Sequence, residues 1–240
     1  MRDPLGFVQC DNFSLKEIED HYKVSCFLKC EKNKYTLIIP EKIEINKSKA
    51  LKEFIVLDPG VRTFQTGLSD NHVNQYCTNS RNVIERHLKK IDVTTKNEKI
   101  PLKIKRKIIL REKMKIKFLV TELHWKTINH LVSNYKTILI GDMSVKGITC
   151  RETSNVSKMT KRVAYNLSFY RFRQRLQNKC IANNRNYIEA NEKYTSKTCS
   201  KCAAYDAKLG SSHVYNCKKC NNLIDRDINA CRCILLKYVI

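Results

Sequence analysis

Strand-like patterns of hydrophobic positions occupy the first part of the sequence. Apolar residues alternate with polar ones in two short runs between Tyr22 and Pro40, which predicts two half-buried strands joined by a polar turn. Residues 54–57 are apolar throughout and end in Asp58-Pro59-Gly60, which predicts a buried central strand with a turn directly after it. Residues 63–69 and 72–77 predict two further strands, so we expect an antiparallel meander in the first half of the chain.

Helical spacing replaces the alternation further along the chain. Apolar residues recur every three to four positions between Pro101 and Tyr135, which predicts a long helix or a pair of helices. Residues 137–141 predict another buried strand, and residues 157–180 predict one basic amphipathic helix. The side of this helix that we expect in the core carries Tyr165, Phe169, Phe172 and Leu176.

The predicted order is three strands, a helix, a strand, a helix, a short strand at residues 187–189, and a last helix after Asp227. This is the order of the RNase H arrangement, an α/β fold with a mixed sheet. In such a sheet the ends of the first and fourth strands lie close to the final helix. Acidic residues that are far apart in sequence can therefore share metal ions.

The charge of the chain points to a polyanionic partner. Its 240 residues include 46 Lys and Arg against 23 Asp and Glu, a formal net charge of +23. Such a charge repels itself unless it meets a polyanion, so nucleic acid is the expected partner; non-specific RNA binding or a Lys-rich coding bias is the alternative. No run approaches the roughly 18 apolar residues that span a bilayer. We expect a soluble protein of the cytoplasm or nucleus without a membrane partner.

Four of the twelve cysteines have the spacing of a metal site. Cys199, Cys202, Cys217 and Cys220 form two Cys-x-x-Cys pairs separated by 14 residues. This spacing predicts a structural zinc ribbon, a closed site of four sulfur ligands that leaves no position for water. His213 lies between the pairs and is an alternative ligand. The chain starts without a basic, then apolar, leader segment, so we expect the remaining cysteines to be reduced.

Three motifs resemble those of TnpB-type proteins. LDPGVR at 57–62 resembles their first RuvC motif, TSKTCSKC at 195–202 the start of their zinc ribbon, and DRDINA at 225–230 their third RuvC motif. The stretches 141–144, 157–162 and 172–176 are most similar to the insertion-sequence branch of large DNA viruses, which is related to the Fanzor proteins. The resemblance covers about residues 20–238. TnpB proteins are transposon-encoded, RNA-guided DNA endonucleases that are often described as transposases.

The resemblance implies a domain order. Residues 1–50 would be the remnant of a β-rich wedge domain with a linker, and residues 51–190 an RNase H-like (RuvC) nuclease core. Residues 191–222 would be the inserted zinc ribbon, and residues 223–240 the last RuvC motif with the C-terminal helix. Because full-length relatives carry a larger wedge and recognition region, we expect an N-terminally truncated chain, whose missing half or partner protein is supplied separately.

The resemblance also implies a catalytic site of three carboxylates. Asp58 matches the first catalytic aspartate of the family and Asp227 the last, whereas Asp225 could cap the following helix. Relatives commonly place a glutamate where this chain has Gly141, and in Fanzor-like relatives it comes from just before the zinc ribbon. Glu192 occupies that place, with Asp142 as second choice. A third and weaker choice for the middle carboxylate is Glu189.

Such carboxylates would hold Mg²⁺ or Mn²⁺ for phosphodiester hydrolysis. DNA and a guide RNA are the implied partners. Basic residues expected to contact the nucleic acid are Lys158, Lys161, Arg162, Arg171, Arg173 and Arg175. The last motif departs from relatives at Cys231 and Cys233, where a second small residue and an asparagine are usual. Two functions are therefore expected: a transposon-associated, metal-dependent DNA endonuclease, or a truncated nucleic-acid-binding remnant without catalysis.

Overall fold

The computed structural model describes residues 27–31, 34–38, 52–70, 72–145, 147, 156–207, 210 and 212–239. The chain divides into two compact units, Met1–Glu44 and Ile45–Ile240. In the first unit β1 (Phe27–Glu31) pairs antiparallel with β2 (Lys34–Ile38). This pairing confirms the hairpin expected from the alternating pattern. The remainder of that prediction, including Val24 and Ile39, lies outside the described residues.

The second unit is built on a mixed sheet whose described part has five strands. These are β3 (Lys52–Pro59), β4 (Gln65–Ser69), β5 (His72–Tyr76), β6 (Tyr135–Gly141) and β7 (Asn186–Ala190). Their order across the sheet is β5-β4-β3-β6-β7. The first three strands are antiparallel neighbours, and β3, β6 and β7 run parallel. This order and these directions define an RNase H-like fold, as the sequence predicts.

Five helices accompany this sheet in the described residues. They are α1 (Ser80–Lys96), α2 (Leu102–Asn134), α3 (Lys158–Leu167), α4 (Phe169–Ala182) and α5 (Arg226–Val239). Because side chains alternate along a strand, Ile55 and Leu57 join the core formed with α1 to α4. Val56 and Leu139 project into the core formed with α5. Within the described ranges, no helix is both long and apolar enough to cross a membrane.

The long helix is continuous, whereas the basic amphipathic segment forms two helices. The pattern between Pro101 and Tyr135 forms one 33-residue helix, α2. The prediction of a single helix over residues 157–180 is wrong, because Ser168 adopts a left-handed conformation with φ of 53° and separates α3 from α4. The change of direction also overturns one core assignment: Tyr165 is 75% exposed. The other three predicted core residues are buried: Phe169, Phe172 and Leu176.

A buried carboxylate joins the first two helices. Glu112 of α2 is fully buried, and its oxygens lie 2.7 Å from His87 Nδ1, 3.1 Å from Lys90 Nζ and 3.7 Å from Lys115 Nζ. The His87 hydrogen bond, followed by Lys90 and Lys115, lowers the pKa of Glu112 to about 2 against the opposing effect of burial. The ionised form of Glu112 therefore holds α1 against α2.

Candidate active site and zinc centre

The sheet brings three predicted carboxylates to one edge. Leu57 pairs with Ile140, so Asp58 at the end of β3 is level with Gly141 at the end of β6. Glu192 follows the end of β7, and Asp227 lies in the first turn of α5. The three carboxylates line one cleft of about 390 Å³. The convergence that the RNase H arrangement predicts is therefore present.

Burial and neighbouring carboxylates raise the pKa of two of these acids, Asp58 and Glu192. Burial raises the pKa of Asp58 well above its usual range, and the Glu192 and Asp227 carboxylates raise it further. Burial also raises the pKa of Glu192 to about 7, with the Asp142 carboxylate adding to the effect and Arg173 opposing it. Three acids at close range favour either protonation or a bound cation.

Glu192 is held so that its carboxylate enters the cleft. Its backbone N–H donates to Asp142 Oδ1 at 3.0 Å, and Thr195 Oγ1 donates to its carbonyl oxygen at 2.7 Å. Glu192 Oε2 is buried without a hydrogen-bond partner among the described residues. Since a buried, unpartnered carboxylate oxygen is costly, this atom has the surroundings of a cation ligand.

Gly141 makes room for this carboxylate. A Cβ atom on Gly141 would lie 2.4 Å from Glu192 Oε2 and 3.2 Å from Pro59 Cδ. Any other side chain at residue 141 would therefore displace the Glu192 carboxylate. Gly141 has no side chain that could bind a metal from β6, and the same lack of a side chain leaves room for the Glu192 carboxylate from beyond β7. Sequence analysis missed this relation.

The other two candidates for the middle carboxylate have different roles in the structure. Asp142 holds the backbone of Glu192 through the hydrogen bond described above. Glu189 pairs with Arg173 at 3.0 Å and accepts a hydrogen bond from the Tyr187 hydroxyl at 3.0 Å. Neither residue lines the described part of the cleft. The geometry favours Glu192, and its catalytic role stays a prediction.

The two aspartates of the last motif also differ. Asp225 Oδ1 accepts hydrogen bonds from the backbone N–H groups of Asp227 at 2.9 Å and Ile228 at 3.1 Å. Asp225 thus caps the start of α5, as expected. Both carboxylate oxygens of Asp227 lie 3.4 Å from the guanidinium of Arg62. Asp227 is therefore the aspartate of this pair that lines the cleft.

The four predicted cysteines form a compact cluster. All four Sγ atoms lie within 4.8 Å of one another. The Cys199 and Cys220 sulfurs are 3.7 Å apart, and the Cys202 and Cys217 sulfurs are 3.6 Å apart. A tetrahedral zinc ion with Zn–S bonds of about 2.3 Å requires sulfur separations of about 3.8 Å. The cluster therefore has the dimensions of a four-sulfur zinc site.

Backbone geometry prepares these sulfurs in two equivalent turns. Ala203 N donates to the carbonyl oxygen of Cys199 at 2.9 Å, and Asn221 N donates to that of Cys217 at 2.8 Å. Ala203 and Asn221 both have positive φ values, of 56° and 53°. Backbone amides, those of Cys220 first and Lys219 after it, lower the pKa of the Cys217 thiol and favour its thiolate, the form that binds metal.

His213 does not join this cluster. Its Nε2 lies 2.5 Å from Arg62 Nη1, so it contacts the arginine that reaches Asp227. In the chain, His213 is followed at once by the ribbon strand β8 (Val214–Asn216). The second ribbon strand, β9 (Leu223–Asp225), leads directly into α5. His213 thus connects the ribbon to the acidic cleft, contrary to its alternative interpretation as a zinc ligand.

Asn229 attaches the ribbon to α5. It is fully buried, donates from Nδ2 to the Thr198 carbonyl oxygen at 2.7 Å, and accepts from the Ser200 N–H at 2.9 Å. The unusual Cys231 and Cys233 are also buried, with Sγ contacts to backbone carbonyl oxygens at 3.2 Å. Both cysteines fit the fold. The departures from the family motif therefore do not disturb the packing of α5.

Two of the predicted nucleic-acid residues, Arg162 and Arg173, contact carboxylates of the protein. Arg162 pairs with both oxygens of Asp92, at 2.6 and 2.9 Å, and Arg173 bridges Glu189 and the Met143 carbonyl oxygen. These guanidinium groups have carboxylate partners within the protein. The remaining predicted residues are exposed or half-buried: Lys158, Lys161, Arg171 and Arg175.

An RNase H-like sheet with an acidic cleft and an inserted four-cysteine ribbon defines a RuvC-type domain. Residues 169–234 match the family model described as the Cas12f1-like TNB domain. The mimivirus TnpB-like protein L79 is 33% identical over 214 residues, which are 84% of this chain and 40% of the relative. "Putative transposase A625R" of Paramecium bursaria Chlorella virus 1 is 29% identical over 219 residues, 85% of this chain and 47% of the relative.

The chain is TnpB-like: over 84% of its length it is similar to a TnpB-like protein of a large DNA virus. It spans less than half the length of these two relatives. Among solved structures, the cryo-EM structure of the Cas12f1–sgRNA–target DNA complex is similar with a TM-score of 0.49 and 17% identity. That match covers 83% of this chain and 41% of the other.

Proposed function

We propose that this chain is a divalent-metal-dependent endonuclease that hydrolyses phosphodiester bonds of DNA. Asp58, Glu192 and Asp227 would hold Mg²⁺ or Mn²⁺. The observation that carries the proposal is the buried Glu192 Oε2, which has no hydrogen-bond partner in the described part of the chain and lies in a cleft shared with two further carboxylates. Oxygen ligands of this kind suit Mg²⁺.

The bound metal would supply charge neutralisation and activation of a water molecule. The protein would supply ligands held by rigid elements. Asp58 extends from a central strand, Asp227 from the first turn of a helix, and Glu192 from a turn tied to Asp142. Arg62 and Arg226 also line the cleft, where their positive charges would attract a phosphodiester group. The cleft therefore combines metal ligands with anion-binding side chains.

DNA is the proposed substrate because of the family and the charge. A transposon-associated role, and guidance by RNA in the manner of full-length relatives, are parts of the same proposal. The net charge of +23 supports binding of a polyanion. Sequencing any RNA that copurifies with the protein would test the guide.

The test is metal-dependent cleavage of labelled single- and double-stranded DNA. We expect Asp58→Asn, Glu192→Gln and Asp227→Asn each to abolish cleavage while zinc content and DNA binding persist. Glu189→Gln is the matched control, because this glutamate lies in the adjoining strand but outside the described cleft lining. Cleavage at the wild-type rate by Glu192→Gln, with loss in Glu189→Gln, would overturn the assignment.

Nucleic-acid binding without hydrolysis is the second candidate function. The observation that favours it is the contact of Arg62 with both oxygens of Asp227, which occupies a proposed metal ligand. A protein of this function would bind DNA in a salt-sensitive manner and would not cut it, with or without an added metal ion. Neither Mg²⁺ nor Mn²⁺ would then raise the cleavage above that of Asp58→Asn.

A further inference from the structure

A second cavity, away from the acidic cleft, is lined by four basic side chains. It has a volume of about 150 Å³ and lies between α2 and the junction of α3 with α4. Lys113 and Lys117 come from α2, and Arg171 and Arg175 come from α4. None of the described residues that line it is Asp or Glu. We name it the basic cavity.

The two pairs place like charges side by side. Lys113 and Lys117 are four residues apart on one helix, and Arg171 and Arg175 are four residues apart on another. Residues at this spacing are neighbours on a helix, and like charges there repel each other. An anion between the helices would turn this repulsion into attraction.

Arg175 is oriented before any ligand arrives. Its guanidinium stacks 5.3 Å from the Trp125 ring centroid, and its Nη1 lies 3.1 Å from His124 Nδ1. His124 Nε2 lies 2.8 Å from the Leu167 carbonyl oxygen, which can only accept, so the ring proton is on Nε2 and Nδ1 accepts from Arg175. Burial, with Arg175 and Arg171 nearby, lowers the pKa of His124 to about 4 and keeps the ring neutral.

The same histidine ties α2 to the end of α3. Leu167 is the last residue of α3, and Ser168 then turns the chain into α4. The hydrogen bond from His124 to Leu167 therefore positions this turn against α2. The contact of the same ring with Arg175 positions one of the four basic side chains. Asn166 and Ser168 also line the cavity and add polar groups to it.

We propose that the basic cavity binds a backbone phosphodiester group of a nucleic acid strand. Four cations from two helices, with polar side chains beside them, suit a negatively charged phosphate group. The planar guanidinium of Arg175 can donate hydrogen bonds to two of the phosphate oxygens. The proposal rests on the nucleic-acid function proposed above and adds Lys113, Lys117 and His124 to it. His124 is a positioning residue.

The test compares two double variants that remove the same charge. Lys113→Gln/Arg171→Gln alters two exposed residues of the basic cavity, and Arg106→Gln/Lys107→Gln alters two exposed residues of α2 outside its described lining. Binding of a labelled single-stranded DNA and of the matching RNA is measured over a range of salt concentrations, without added divalent ion.

For single strands the slope of log affinity against log salt changes by about 0.7 for each phosphate contact. Because the basic cavity would hold one phosphodiester group, we expect the cavity variant to reduce the slope by about 0.7 and the control variant by less than half of that. A reduction on DNA, on RNA or on both supports the cavity and identifies the polymer. Equal effects of the two double variants on both polymers would overturn it.

The outcome is separable from that of the nuclease proposal. If wild-type protein does not cut DNA but the cavity variant binds more weakly than its control, the cavity stands and the nuclease proposal fails. If cleavage depends on Asp58 while both double variants bind alike, the nuclease proposal stands and the basic cavity fails. His124→Gln, which can keep a donor to Leu167, should retain more binding than His124→Leu; equal binding by both would refute the positioning role.

Discussion

Substitution of Gly141 by alanine tests how the acidic site is built. A Cβ atom at residue 141 would lie 2.4 Å from Glu192 Oε2, whereas ordinary contacts begin at 3.4 Å. The carboxylate oxygen must therefore move by about 1 Å, and Pro59 Cδ, at 3.2 Å, must yield slightly. Gly141 ends β6 without a positive φ, so alanine meets no backbone strain there.

The expected effects on folding and on activity differ. Glu192 Oε2 is the far end of a flexible side chain, so its displacement should change the free energy of unfolding by less than about 1 kcal/mol. A misplacement of about 1 Å in a catalytic group can lower the rate about 100-fold, or about 2.7 kcal/mol of transition-state stabilisation. Gly141→Ala should thus stay folded and lose most of its activity.

The assay is single-turnover DNA cleavage with saturating Mn²⁺, combined with calorimetric titration of Mn²⁺ in the absence of DNA. Gly210→Ala is the matched control, because a Cβ there meets nothing within 4 Å. We expect Gly141→Ala to approach Glu192→Gln in both measurements and Gly210→Ala to match the wild type. Wild-type cleavage and metal affinity in Gly141→Ala would refute the steric link between Gly141 and Glu192.

The four-cysteine cluster and two buried polar side chains should each stabilise the fold. Cys217→Ser should lower the zinc content, measured by atomic absorption, from one ion per chain to well below one, and the melting temperature should fall; an unchanged zinc content would contradict the four-sulfur site. Asn229→Ala should lower the free energy of unfolding in urea by about 2 kcal/mol, because the buried Thr198 carbonyl and Ser200 N–H lose their partner, while zinc stays bound. Glu112→Gln should cost about 3 kcal/mol at neutral pH. Because the pKa of Glu112 is lowered from 4.5 to about 2 on folding, its contribution is present above about pH 4.5 and is lost as pH falls towards 2. Stability of the wild type should therefore fall more steeply than that of Glu112→Gln over this range, and parallel curves would exclude the ionised cluster.

Short-range patterns in the sequence determine much of this protein. The apolar run that ends at Asp58 predicts β3, and Pro59-Gly60 predicts a turn directly after it. The Asp58 carboxylate is therefore expected at the end of a buried strand. The spacing of the cysteines predicts the ribbon, because each Cys-x-x-Cys turn is local. The order of strands and helices predicts the RNase H-like sheet, because connection rules restrict how such elements can join.

Only the tertiary structure decided what depends on the meeting of distant residues. The resemblance already puts Glu192 before Asp142 and Glu189, but the closeness of its carboxylate to Gly141 depends on the parallel register of β6 and β7. Helical spacing also placed Tyr165 in the core, because a single left-handed residue, Ser168, has little effect on a sequence pattern but turns the chain. Side-chain periodicity reports on one element at a time, whereas a metal site, an ion pair or a cavity depends on the distance between elements, and packing sets that distance.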